Sequence, residues 1–291
     1  MSTLVASWIN QLLQGVLLGG LYTLFAAGLS LSAGVMRFVN VAHGDFIVLA
    51  GFALLTLTVS FGLDPVTATI IVLPVAFGVG FALQRFLLQR VVGKHGLLVI
   101  LVTFGLSNII QNGLLEAYGA NTRKVAGGWM ETATIRLGAG INIGVFSALT
   151  FVAAILIVVG LDLVLYRSGI GAKIRAVSDD VAAADLIGLS SARIYAMAMG
   201  ISFVTIAIAA GFMSIWSNFA PSSGPSRLLI AFEVIVLGGL GSMWGSLAGG
   251  IVLGVAQTIG AQFDIAWQTL AGHIVFLLVL LVRPQGLFPK Y

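Results

Sequence analysis

The chain holds no cysteine, which excludes disulfides, thiolate nucleophiles and cysteine-ligated metals. Charge is almost as scarce. Only 8% of the 291 residues are Asp, Glu, Lys or Arg, against roughly a quarter in soluble domains. The chain has 3 histidines, His43, His95 and His273, with no ligand spacing among them, so no metal site is expected. No G-x-x-x-x-G-K-[ST] occurs: Lys94 follows Gly93 but precedes His95, and Lys173 precedes Ile174. The chain therefore has no phosphate cradle of that type. No nucleophile stands paired with a base in the apolar runs, so there is no catalytic residue to name and an enzyme is not expected. Neither is a cofactor. Charged residues are absent from Met1 through Met36, so no basic segment precedes the first apolar run, which reads as a retained span.

What remains is apolar. Hydrophobic residues make up 59% and the mean hydropathy is +1.10, values that place the chain among multi-span membrane proteins in contact with lipid. The runs are long and continuous, which favours helices over the alternating ~10-residue segments of a barrel. The 37 glycines suit close helix packing in lipid. The pI near 9.7 comes from few, scattered basic residues, which fit short loops better than a nucleic-acid surface.

Apolar stretches between polar breaks predict an all-α, polytopic transmembrane bundle, a single domain over 1–291. Spans fall at about Ile9–Leu31, Phe46–Phe61, Val66–Leu88, Leu97–Leu115, Ile143–Leu165, Tyr195–Trp216 and Trp267–Val282. Leu228–Leu237 is too short to cross about 30 Å. With the Gly-rich run after it, it reads as two spans joined by a turn or as one span and a re-entrant segment. The total is eight or nine segments, some broken. The Lys and Arg distribution puts Arg37, Arg85, Arg90, Lys94, Arg167, Lys173, Arg175, Arg193, Arg283 and Lys290 inside and Arg123, Lys124, Arg136 and Arg227 outside, with a cytoplasmic C-terminus. "LSLSAGVMRFVNVAHGDFIVLAGF" and "IVLGGLGSMWGSLAGGIVLG" both interrupt an apolar run, the pattern of paired broken helices in repeat-built transporters.

The longest hydrophilic block, Tyr166–Arg193, predicts one short helix with a cap at Ser178 or Asp179, helix-forming Ala182, Ala183 and Ala184, and a stop at Gly188. Val181, Ala184, Leu186 and Ile187 offer it an apolar side for a partner's groove. Within the membrane, polar residues mark sites or helix pairings. Arg37, Asn40, His43 and Asp45 lie in "GVMRFVNVAHGDF". They form either a plain turn or a broken segment beside a pathway, with an Arg37–Asp45 pair and with Asn40 or His43 satisfying loose backbone groups. Glu233 is either a pathway acid or an ion-pair partner of Arg227 or Arg37. Asp162 is expected to reach Arg167, and His273 to be a packed, hydrogen-bonded residue. Gly241, Ser242 and Gly245 would line a weakly binding route.

The Ala182–Ala184 run, followed by three residues and then Gly188, resembles a degenerate EAA loop of ABC importer permeases. "GLSLSAGVMRFVNVAHGDFIVLAGF", "GAKIRAVSDDVAAADLIGLS", "LGGLGSMWGSLAGGIVLG" and "VRPQGLF" closely resemble, in this order along nearly the whole chain, the branched-chain amino acid permease family, which includes urea and short-amide permeases. The resemblance implies a transport subunit in a bacterial inner membrane. It would pair with a second permease, as a homo- or heterodimer, with two cytoplasmic ATPases and with a periplasmic solute-binding protein. The loop 166–193 would couple to the ATPases through Asp179, Asp180, Ala182, Ala183, Ala184 and Gly188, and the pathway would involve Arg37, Asn40, His43, Glu233, Gly241 and Ser242. An ion-coupled secondary transporter and a passive channel are the rival readings.

Overall fold

The computed structural model describes residues 2–94, 96–138 and 141–288. His95 and Lys290, used above in the metal and orientation arguments, lie outside the described residues. Helix α1 (Ser2–Met36) stops where Arg37 takes a positive φ of 56°. Helix α2 (His43–Phe61) ends at Gly62 in the left-handed region, a conformation glycine adopts without a Cβ clash. Helix α3 (Pro65–Ala82) starts with proline in its first turn and with Asp64 accepting from the Thr67 amide at 3.0 Å. That bond holds the Asp64 carboxyl below its ordinary value. Helix α3 continues through a π turn and a 3₁₀ turn to Arg90, and α4 (Gly96–Tyr118) returns.

The polar segment after α4 is ordered rather than loose. It forms a one-turn helix α5 (Trp129–Thr132) and an antiparallel hairpin of β1 (Thr134–Gly138) and β2 (Ile141–Gly144). Glu131 pairs with Lys124 and accepts from the Gly127 amide, and both bonds hold its carboxyl low. Helix α6 (Val145–Arg167) then crosses, followed by α7 (Gly169–Asp179), α8 (Val181–Leu186), α9 (Ser191–Trp216), α10 (Gly224–Gly238), α11 (Met243–Phe263) and α12 (Trp267–Val282).

Seven helices are long and apolar enough to cross a membrane, and α12 is a shorter apolar one. The ambiguous stretch near Leu228–Leu237 is the half-helix α10, entered through an irregular lead from Ser217. Two ends of the bundle can be told apart. Near the hairpin end, Gln14 of α1 donates to the Asn142 carbonyl at 2.9 Å and Trp8 packs on Phe263. At the Arg37 end, the Leu287 and Phe288 amides donate to the carbonyls of Leu237 and Gly238 at 2.8 and 2.9 Å. The first and last described residues thus lie at opposite ends of the bundle. The terminal "QGLF" supplies donors to the otherwise open C-terminus of α10.

The bundle is built around α1, whose apolar window is 83% buried. Its closest partner is the antiparallel α11, and glycines make the approach. A Cβ on Gly254 would sit 2.3 Å from the Gly15 carbonyl oxygen, and one on Gly19 would sit 2.6 Å from the Ile251 Cα. Lipid gives no hydrophobic drive between helices, so close packing of this kind supplies the association. A Gly254→Leu change should therefore lower stability by about 1–3 kcal/mol through overpacking, read as a lower thermal unfolding midpoint in detergent. Gly160→Ala on α6, whose Cβ would meet nothing within 4 Å, should leave the midpoint unchanged or raise it, by up to about 1 kcal/mol.

Candidate functional site

The break between α1 and α2 does not lie at the bundle end. His43, the first residue of α2, places Nε2 2.8 Å from the Phe25 carbonyl. A carbonyl only accepts, so Nε2 carries the proton. Phe25 is eleven residues before the end of α1, roughly 16 Å into the bundle, about half the hydrocarbon thickness. Residues 37–42 therefore climb back to mid-depth in non-helical form, which answers the choice between a plain turn and a broken segment in favour of the latter. Their backbone is supplied from within the chain. The Ala42 amide donates to Asn40 Oδ1 at 3.1 Å, the Val41 amide to Thr103 Oγ1 at 3.3 Å, and the His43 amide to the Asn40 carbonyl at 3.0 Å.

The half-helix α10 begins at the same level. A Cβ on Gly44 would lie 2.0 Å from the Gly224 carbonyl oxygen, and one on Gly224 would lie 1.8 Å from Asp45 Oδ1. Two helix N-termini thus meet at mid-depth with the Asp45 carboxylate between them. Partial positive charge at helix N-termini favours an anion there. Neither Asp45 oxygen has a strict hydrogen-bond partner, although Ser107 and Gln111 of α4 are its polar neighbours. The expected Arg37–Asp45 pair does not form. Arg37 instead donates to the Ser178 carbonyl at 3.1 Å, and Ser178 Oγ donates to the Gly34 carbonyl at 3.2 Å.

Glu233 is buried on α10 and pairs with His273 of α12. This replaces the expected pairing with Arg227 or Arg37. Six residues along a helix is a rotation of 240°, so Arg227 and Glu233 leave the axis in different directions. Arg227 is not an outer-loop residue. It sits in the first turns of α10, with its guanidinium 5.8 Å from the Phe25 ring centre and Nη2 donating to Ser217 Oγ at 3.3 Å. The expected Asp162–Arg167 pair is also absent. Among the described residues the ion pairs are Lys124–Glu131 and His273–Glu233. A further mid-bundle link, Tyr22 Oη donating to Gln257 Oε1 at 2.5 Å, carried no sequence signal beyond two polar residues in apolar runs.

Beneath this centre, open to the Arg37 end, lies a cavity of 770 Å³. Arg37 and Gly241 line it, and the other pathway candidates do not. Asn40, His43 and Glu233 are buried elsewhere in the bundle, and Ser242 caps α11 by accepting from the Gly245 amide at 3.0 Å. Arg175, Ser178 and Asp179 from α7 line the mouth as well, a role spacing along the chain could not show. Gly34 and Gly241 also line it, each leaving no space for a side chain on the other.

The predicted single helix over the hydrophilic block is two helices broken at Asp180. Asp180 caps α8, its Oδ1 accepting from the Ala183 amide at 3.0 Å. Gly188 follows at φ 85°, as a helix stop requires. Asp185 then accepts from the Ser191 amide at 3.0 Å and ties the turn to α9. Ala184 is buried and seats α8 on the bundle, while Ala182 and Ala183 are exposed and Leu186 and Ile187 are 88% and 76% exposed.

The family model described as branched-chain amino acid transport system / permease component matches residues 11–283. The chain belongs to that family. It is 28% identical to the high-affinity branched-chain amino acid transport system permease protein BraD of Pseudomonas aeruginosa, over 97% of this chain and 96% of that protein. It is 25% identical to LivH of Escherichia coli K12 over 97% and 96% of the two chains. A second permease protein of the same description from that organism, LivM, is also 25% identical, over 92% of this chain and 68% of its own length. No solved structure matches the chain. The family and the apolar helices together make it a multi-pass membrane transport permease.

Removing one partner of the Glu233–His273 pair leaves a buried carboxylate without its donor. His273→Leu should lower stability by about 1–3 kcal/mol, and the double change with Glu233→Leu should recover most of that loss. Thermal unfolding in detergent reads both, and additive losses would show that the two side chains are not coupled.

Proposed function

We propose that the chain is the translocating subunit of an ATP-driven importer in a bacterial inner membrane, carrying branched-chain amino acids or a related small polar solute. The observation that carries this reading is the family match over 11–283. Two permease relatives from one organism support a second permease chain as partner. The chain has no phosphate cradle of its own, so ATP hydrolysis falls to separate ATPase subunits on the cytoplasmic side. A periplasmic solute-binding protein delivers the solute.

The Arg37 end is the cytoplasmic one in this reading, with the C-terminus there. It carries most of the basic residues, as cytoplasmic loops do. It also presents Leu186 and Ile187 on α8, two large apolar side chains that a cleft on an ATPase would cover. Asp180, Ala182, Ala183, Ala184 and Gly188 shape that helix, and Asp179 links it to the cavity mouth. Arg37, Arg175 and Asp179 give the mouth both signs of charge, which suits a zwitterionic solute leaving toward the cytoplasm. Asn40, His43, Glu233 and Ser242 hold the walls of the route.

Reconstitution in liposomes with the second permease, the ATPases and the binding protein should give uptake of leucine, or of urea or acetamide in its place, only with ATP. Passive or gradient-driven uptake by this chain alone would overturn the reading. In the same assay Leu186→Glu should reduce uptake at least about tenfold by burying a charge at the ATPase contact, with membrane insertion unchanged.

A further inference from the structure

Helix α4 carries its polarity on the wrong side for a span bordered by lipid. Its buried residues, Val99, Thr103, Ser107, Ile110 and Leu114, form one face against the bundle. On the opposite face, 3.6-residue periodicity aligns Leu101, Gly105, Asn108, Asn112 and Glu116, all exposed on this chain, so the stripe is apolar toward the start of α4 and polar from its middle onward. Asn108 lies near the middle of the 23-residue helix, roughly 18 Å from its start. The flanks of the face are apolar: Phe104, Ile109 and Leu115 are 55%, 70% and 45% exposed. Asn108 Nδ2 donates to the Phe104 carbonyl at 2.9 Å and Asn112 Nδ2 to the Asn108 carbonyl at 2.8 Å. Their amide oxygens accept from no donor among the described residues, and both residues are exposed. A polar oxygen left dry in hydrocarbon costs on the order of 1–3 kcal/mol, so polar groups at this depth face protein or water. A Cβ on Gly105 or Gly113 would meet nothing within 4 Å, which leaves the face shallow enough for another body to approach.

We infer that this face of α4 is one wall of a water-filled solute route, closed on its other side by the second permease chain. The inference rests on the proposed function for the presence of that second chain. The physical argument for water or protein at the face does not need it. Two neutral amides and a carboxylate toward the hairpin end give a passing zwitterion hydrogen-bond partners without a deep binding site. Such a surface is suited to rapid passage rather than capture.

The absence of native cysteine allows a direct test in the assembled transporter. Asn108→Cys, Asn112→Cys and Ile109→Cys are treated in turn with a charged, membrane-impermeant methanethiosulfonate. A benzophenone amino acid at 108 or 112 is photolysed in parallel. Thiolate forms in water and not in lipid, so labelling at 108 and 112 should be at least about tenfold faster than at 109, and the photoadducts should contain the second permease. Equally slow labelling at all three positions, with adducts to lipid alone, would overturn the inference. Adducts with the second permease but no labelling would make the face a dry contact and overturn the route. Labelling and adducts are read without ATP. Uptake independent of the ATPases would therefore sink the proposed function and leave this face standing.

Discussion

A backbone that leaves the helix at membrane depth must find its hydrogen-bond partners inside the protein, and the architecture follows from that requirement. Residues 37–42 and 217–220 both leave the helix, the second running on through a 3₁₀ turn at Pro221–Ser223, and both lead to a helix that starts at mid-depth. Asn40 folds back on its own segment, Thr103 reaches in from α4, and His43 bonds to α1. At the far end of α10 the partners come from the last described residues of the chain, Leu287 and Phe288. The polar residues of "GVMRFVNVAHGDF" are therefore structural in the first instance. They hold two broken passes in register around Asp45, and only Arg37 reaches the open cavity.

Glycine sets how closely these pieces can stand. The α1–α11 seam, the Gly44–Gly224 contact and the Gly34–Gly241 contact each bring backbone to backbone with no space for a Cβ. In water such contacts would add little beyond shape. In lipid they are a main source of helix association, because the tails compete for every apolar side chain equally. The core is consequently small-residue-rich along α1, while α3, α4 and α6 have only 22% to 28% of their apolar windows buried.

Much of this is written locally in the sequence. Runs of apolar residues located six of the seven long spans and left α11 unresolved, Gly62 and Gly188 marked helix ends, and the shortness of Leu228–Leu237 flagged the half-helix. What the sequence could not show depends on rotation or on distant partners. Glu233 pairs across to α12 because α10 turns Arg227 elsewhere, and Asp162 misses Arg167 for the same angular reason. The helix break at Asp180 was hidden because Ser178, Asp179 and Asp180 are all competent caps, and only packing of α7 on α6 selects the last. Among the described residues of the loop block, Asp179 faces the cavity mouth while Leu186 and Ile187 face outward, a division that a linear reading assigns to one coupling helix.

The glycine contacts beside the cavity constrain how the protein can work. Gly34 and Gly241 touch backbone to backbone, Gly44 and Gly224 do the same at mid-depth, and α10 is held at its far end by the terminal segment. Separating α1, α2, α10 and α11 would give up this glycine packing, the bond from His43 to the Phe25 carbonyl and the bonds from Leu287 and Phe288 to α10, and a carbonyl left unpaired in hydrocarbon costs several kcal/mol. A continuous opening through the middle of this chain would need that separation. Rigid-body movement of the whole bundle against another surface would not. The sparsely buried α3, α4 and α6, and α12 with only Gly272 buried, leave room for such a surface. A path between two bodies can alternate in access while every internal hydrogen bond is kept.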